Sequence, residues 1–202
     1  MRDFSRLDQF LTKLSGDIYP EEPSGIHTGI TDELIAALAK AGVVAAGQRV
    51  LDIGCGQGLA LERFAKLGLK PTGITLGADY GICLAKGYDV REMDQSFLEF
   101  TDQEFDILWC RHVLEHSVFP FFPLSEYHRV TKQGGHVYIE VPAPDTGYAH
   151  QDNLNHYSVL GKSMWQELFR RVGLSLIQTI DIHPPLVKAE TYWAFLLHRA
   201  NG

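Results

Sequence analysis

The chain has 202 residues, 45% hydrophobic and 21% charged, an ordinary globular composition and long enough to bury a core without disulfides or structural metals. Its 18 Lys and Arg against 25 Asp and Glu give a net charge of −7 with no basic run, which argues against nucleic acid as a partner. No apolar run approaches the roughly 18 residues of a membrane span, Met1 to Arg6 leads into no signal-peptide core, and Cys55, Cys83 and Cys110 read as reduced thiols; the expectation is a cytoplasmic protein, monomeric or homodimeric.

Phe4, Leu7, Phe10, Leu11 and Leu14 recur at helical spacing, and Ser15-Gly16 ends the pattern. Turn formers crowd Pro20 to Gly29, after which Thr31 reads as the N-cap of a second helix whose core side is Leu34, Ile35, Leu38 and Ala39. From Arg49 short apolar strands alternate with helices. Arg49 to Ile53, Pro71 to Leu76, Asp89 to Glu92, Phe105 to Cys110 and His136 to Val141 read as strands, with helices at Leu59 to Leu67, Tyr80 to Lys86 and Leu124 to Val130. Gly134-Gly135 is expected to terminate the last of these helices. Ser158 to Val172 is a further helix, and Leu174 to Ile182 and Thr191 to His198 supply two final strands.

This alternation predicts an α/β fold, a Rossmann-like doubly wound sheet of seven strands, mostly parallel with an antiparallel last strand. One domain over residues 1–202 is expected, with an N-terminal helical flap at 1–30. In such sheets the ligand crevice opens at the carboxyl ends of the strands. The turn there carries Gly54, Gly56 and Gly58, which let the backbone approach a ligand closely. On its own this loop implies only a nucleotide-like ligand.

Val50-Leu51-Asp52-Ile53-Gly54-Cys55-Gly56-Gln57-Gly58 resembles the first motif of the class I S-adenosylmethionine (SAM) dependent methyltransferases. The resemblance continues in order through Asp94, Phe105-Asp106, Arg111 to His116, the Gly134-Gly135 turn and Asn155-His156-Tyr157-Ser158, covering roughly residues 48–182 as the SAM-binding core. It implies a methyltransferase of the small-molecule branch with SAM as donor and S-adenosylhomocysteine as product. It implies a donor site formed by Asp52, Gly54, Cys55, Gly56, Gly58, Thr75, Leu76, Asp94, Gln95 and Arg111. In one respect the chain departs from the family, which carries an acid at the end of the second strand to bind the ribose. Thr75 stands there, as in a branch resembling cyclopropane fatty acid synthases, and Asp79 is a nearby carboxylate that also reads as an ordinary first-turn acid.

Methyl transfer asks the protein mainly to align a nucleophile, with a base where an oxygen or nitrogen must lose a proton. His112, His150 and His156 are the candidate catalytic residues, the last two in a polar loop from Pro142 to Tyr157 that should overlie the crevice. His116 reads as structural. His112-Val113-Leu114-Glu115-His116 matches an inverted zinc-protease pattern, but it follows a strand rather than lying on that motif's helix, and proteolysis is rejected. His150, Asp152 and His156 are too loosely spaced to read as metal ligands, and no metal is assigned. Within Val118 to Leu124, at least two of Phe119, Phe121 and Phe122 are expected in the core. Two other readings compete with the enzyme: a non-catalytic SAM-binding regulator, and a nicotinamide-dependent oxidoreductase.

Overall fold

The computed structural model describes residues 3–14 and 24–200. Six helices and seven strands follow in chain order: α1 (Ser5–Leu14), α2 (Gly25–Lys40), β1 (Arg49–Ile53), α3 (Leu59–Lys66), β2 (Lys70–Thr75), α4 (Ala78–Ala85), β3 (Val90–Glu92), β4 (Phe105–Arg111), α5 (Phe121–Val130), β5 (Thr131–Pro142), α6 (Lys162–Arg171), β6 (Leu174–Ile182) and β7 (Tyr192–Arg199). The strands form one sheet in the order β3-β2-β1-β4-β5-β7-β6. Strands β1 to β5 pair in parallel, while β7 runs antiparallel to both β5 and β6. This is the expected doubly wound sheet.

The apolar composition of β1 and β4 follows from burial on both faces. On one face Leu51, Ile53, Leu108 and Cys110 pack with Leu124, Tyr127, Trp165 and Phe169 of α5 and α6. On the other, Val50, Ile107 and Trp109 pack with Ile35 and Leu38 of α2 and Phe64 of α3. Trp109 stacks on Tyr138 of β5 with centroids 4.2 Å apart. Burying a side chain of this size is worth about 1.5–3 kcal/mol, so these central strands form a rigid base for the loops at their carboxyl ends.

Three expectations need correction. The second helix begins at Gly25, not after Thr31: Ser24 caps it, its side chain accepting from the His27 N–H, and the segment up to Gly29 is helical rather than a turn. Thr31 then sits inside the helix, buried, with its hydroxyl donating to the His27 carbonyl at 2.9 Å. Second, helix α5 ends at Val130, and Gly134-Gly135 falls within β5, where the register with β4 shifts between Phe105 and Ile107. Third, Phe119, Phe121 and Phe122 are all about half exposed (50%, 46% and 46%). The buried side of α5 is supplied instead by Pro123, Leu124, Tyr127 and Val130. The Ser15-Gly16 stop of the first helix lies outside the described residues. Among the described residues, no helix is long and apolar enough to cross a membrane.

Candidate active site

A cavity of about 1160 Å³ opens at the carboxyl ends of β1, β2 and β4. One wall is the loop from β1 to α3. Gly54 has φ of +65°, and a Cβ added there would lie 2.3 Å from Val113 Cγ2, so only glycine fits. A Cβ on Gly56 would find only Asp79 Oδ2 at 4.0 Å; here the backbone faces open space. Gly58 is not brought to this cavity: it caps α3 from behind, against the Tyr88 ring. Every other residue expected around the donor (Asp52, Gly54, Cys55, Gly56, Thr75, Leu76, Asp94, Gln95 and Arg111) lines the cavity.

Asp52 dominates the electrostatics of this wall. It is 3% exposed, and its Oδ2 has no hydrogen-bond partner. Burial pushes its carboxyl up to about 8, with the Arg111 charge opposing the rise. A buried carboxylate oxygen without a donor is costly, and a cation placed against it would relieve that cost. Thr75 and Asp79 are both buried at the same wall (8% and 7% exposed), so the end of β2 and the first turn of α4 each present oxygen to the cavity. Asp94 folds back on its own loop, accepting from the Ser96 N–H at 2.7 Å. Gln95 is a clamp: its amide donates to the Val113 carbonyl at 2.9 Å and accepts from the Tyr127 hydroxyl at 2.6 Å. It thereby sets the position of Val113 against Gly54.

The opposite wall is built where β4 ends. Arg111 forms a two-pronged pair with the fully buried Glu140, at 2.8 and 2.7 Å, and also reaches Thr31 on α2. His112 follows with φ of +53° and lies between two buried carboxylates. Its Nε2 is 2.9 Å from Glu140 Oε1, close enough for an ion pair though not aligned as a hydrogen bond, and its Nδ1 is 3.6 Å from Glu115 Oε1. Burial alone would lower the His112 pKa; the two carboxylates override it and raise it to about 9. Arg111 and His112 in turn surround Glu140 with positive charge, which holds its carboxyl well below the usual range against the effect of burial.

His150 and His156 enter from the loop after β5. His150 Nε2 is 3.0 Å from Oε2 of Glu190, a buried residue just before β7. His156 Nδ1 is 3.0 Å from the His150 carbonyl, and the two rings stack at 5.5 Å. His112, His150 and His156 thus face one cavity, joined by His27, His116 and Tyr192. Of the loop's other polar residues, Asn155 and Tyr157 reach it. Sequence reasoning missed Glu140, Glu190 and His27. Glu140 sits in an apolar strand, a sign that its charge has a partner, but that partner is visible only in three dimensions.

The mouth is apolar. Phe97, Phe119 and Phe122 line it with Phe4 and with Leu7 and Leu11 of α1, and Phe97 meets Phe122 edge-to-face at 5.5 Å. Among the described residues of 1–30, α1 and the start of α2 line the cavity.

A mostly parallel sheet with a glycine loop after its first strand, an orphaned acid at that strand's end and a roomy adjoining cavity is the arrangement that suits a nucleotide-type ligand. The methyltransferase-domain family model matches residues 4–179, and the chain belongs to this family, the class I SAM-dependent methyltransferases. Over 103 residues it is 33% identical to the ubiquinone biosynthesis O-methyltransferase of Pseudomonas aeruginosa (strain LESB58). That match covers 46% of this chain and 44% of the relative, so the chain aligns with less than half the relative's length. The fold is shared with the [4+2]-cyclase SpnF (TM-score 0.72, 20% identity, 85% of this chain and 81% of that one). It is also shared with the 1,6-didemethyltoxoflavin-N1-methyltransferase of Burkholderia thailandensis, solved with bound 1,6-didemethyltoxoflavin and S-adenosylhomocysteine (TM-score 0.68, 18% identity, 86% of this chain and 78% of that one). SAM is the donor that this family uses.

Proposed function

We propose that the chain transfers a methyl group from SAM to an oxygen of a small, largely apolar acceptor, with His150 as the base. The observation that carries this reading is the joining, in one cavity, of the glycine loop and orphaned Asp52 oxygen to a wall of histidines. The donor fits the residues present: it carries a sulfonium and an ammonium, and Asp52 Oδ2 is a buried carboxyl oxygen without a partner, which a bound cation would draw into its ionised form. Gly54 and Gly56 leave room for its amino-acid portion, and Thr75 and Asp79 offer oxygens for its ribose hydroxyls.

Bound SAM supplies an activated methyl group: as the acceptor oxygen bonds the methyl carbon, the carbon–sulfur electron pair returns to sulfur, leaving S-adenosylhomocysteine, the methyl ether and one proton. The chain's task is to hold the acceptor in line and take up that proton. Glu190 accepts from His150 Nε2, so Nδ1 is the nitrogen left with a lone pair, the arrangement of a base oriented by an acid. His112, held between two carboxylates as an imidazolium, orders Glu115 and Glu140 instead. Phe97, Phe119 and Phe122 favour an apolar acceptor body and exclude water from the transfer. The oxygen assignment is supported by the name of the Pseudomonas relative.

The test is calorimetric titration with S-adenosylhomocysteine, followed by transfer of labelled methyl from SAM to a panel of phenols and aliphatic alcohols. Absence of S-adenosylhomocysteine binding would overturn the donor assignment. Binding without transfer to any hydroxyl would overturn the acceptor assignment and favour a non-catalytic SAM-binding protein.

A further inference from the structure

Glu115 and His116 end the short 3-10 turn after β4 (Leu114–His116), and His156 comes from the loop before α6. From the sequence no metal is assigned: the His112 to His116 pattern is rejected as a zinc motif, and His150, Asp152 and His156 are loosely spaced. In the fold His112 is turned to Glu140, and His150 is occupied by Glu190. One atom each of Glu115, His116 and His156 lie within 4.8 Å of one another.

Three independent features of this cluster suit a cation. First, the tautomers are set. His116 Nδ1 lies 2.9 Å from the Asn155 carbonyl and His156 Nδ1 3.0 Å from the His150 carbonyl. A carbonyl only accepts, so each Nδ1 carries the hydrogen and each Nε2 carries the lone pair that a metal needs. Imidazoles that bind metals are typically fixed through the other nitrogen in this way. Second, Glu115 is 1% exposed and its Oε2 has no hydrogen-bond partner, a costly arrangement for a carboxylate that an ion would satisfy. Third, all three residues line the cavity, so coordination positions not taken by the protein would face the acceptor chamber.

We propose that Glu115, His116 and His156 bind a divalent first-row transition ion. Two imidazoles and one carboxylate suit Zn²⁺, Fe²⁺, Mn²⁺ or Co²⁺ rather than Mg²⁺ or Ca²⁺, which prefer oxygen ligands. Metal–ligand bonds of about 2.0–2.2 Å place tetrahedral donors roughly 3.4 Å apart, so the three atoms, now within 4.8 Å of one another, would draw together on binding. Three protein ligands leave the ion open positions, as catalytic sites do.

The role of the ion builds on the transfer proposed above. An acceptor hydroxyl, or two adjacent oxygens, would occupy the open positions and lose a proton more readily beside the dication. That proton passes to His150, and the oxygen then takes the methyl group as already described.

The test uses the full chain, stripped with chelator and titrated with Co²⁺ alone. The expected result is one Co²⁺ per chain, with visible d–d absorption that Zn²⁺ displaces, and affinity at least tenfold weaker in both Glu115→Gln and His156→Gln. His183→Ala, at an exposed histidine, should change nothing. The wild-type Co²⁺ form also gives a readout that needs no variant: two hyperfine-shifted, exchangeable imidazole N–H resonances from His116 and His156. A wild-type protein that binds S-adenosylhomocysteine but shows neither the absorption nor the shifted resonances would overturn the metal site and leave the donor assignment standing. Equal Co²⁺ affinity in the folded Glu115→Gln and His156→Gln variants would likewise overturn it. Loss of S-adenosylhomocysteine binding alone would count against the proposed function and not against the metal.

Discussion

Replacing Asp52 with Asn separates the stability of the empty protein from its affinity for the donor. Burial pushes the Asp52 carboxyl up to about 8. At pH 7 the folded chain therefore holds a proton that an unfolded chain, with a carboxyl near the ordinary value of about 3.9, has released. The folded state binds more protons between about pH 4 and pH 8, so stability falls as pH rises through that window and levels off above it. Roughly three pH units at 1.36 kcal/mol each put the cost at pH 7 near 4 kcal/mol. Asn avoids this cost but leaves an amide short of partners, at about 1–3 kcal/mol. The net gain of about 2 kcal/mol should raise the melting temperature by roughly 4–8 °C for a domain of this size. Calorimetry on the same variant should show S-adenosylhomocysteine binding lost. An Asp52→Asn variant that melts no higher than wild type at pH 7 while binding the ligand normally would refute the reasoning on both counts.

The other predictions concern the rest of the cavity. Gly54→Ala forces a Cβ to within 2.3 Å of Val113 at a φ of +65°, so calorimetry should show donor affinity at least a hundredfold lower; an unchanged affinity would mean the loop does not form the donor wall. Glu140→Gln leaves the Arg111 cation without its buried counter-charge and should cost about 3–5 kcal/mol at pH 7 in urea unfolding. Because the folded Glu140 pKa is depressed, its contribution is present above the unfolded value of 4.5 and lost as pH falls below it, so the penalty should shrink in acid. Glu190→Gln should lower kcat at least tenfold with S-adenosylhomocysteine affinity unchanged, since it removes the acid that orients His150; equal kcat would remove His150 as the base.

The sheet was legible because its signals are local. The β1 residues and the glycines after them specify a strand and a tight turn within a single stretch of chain, and buried strands such as Phe105 to Cys110 are apolar throughout. The start of α2 was not legible for a local reason: Ser24 and Thr31 are both good caps, and Gly25 and Gly29 argue against a helix between them. What decides is tertiary, since Thr31 inside the helix meets Arg111 and His27 stacks on Tyr192 at 5.7 Å. Phe121 and Phe122 misled because an apolar run suggests core, whereas the α5 helix can bury only one side, leaving both rings about half exposed with Phe122 at the cavity mouth. The wall carrying the glycine loop came from contiguous motifs; the wall carrying the histidines did not. His150 and Glu190 are separated by 40 positions, and Arg111 and Glu140 by 29, and no periodicity links such pairs.

Strand β7 follows every other strand in the chain, yet in the sheet it lies between β5 and β6. Strand β6 is joined to the rest of the sheet only through β7, so it must wait for a later segment before it can hydrogen-bond to anything. Non-local pairing of this kind is paid for in folding time. During that interval β6, with Leu176 and Ile177 on its surface even in the finished fold, is an unpaired edge available to another chain. Completion of the histidine wall has the same timing, because Glu190 and Tyr192 arrive with β7. Binding competence for the acceptor should therefore appear late in refolding, after the glycine loop has already formed.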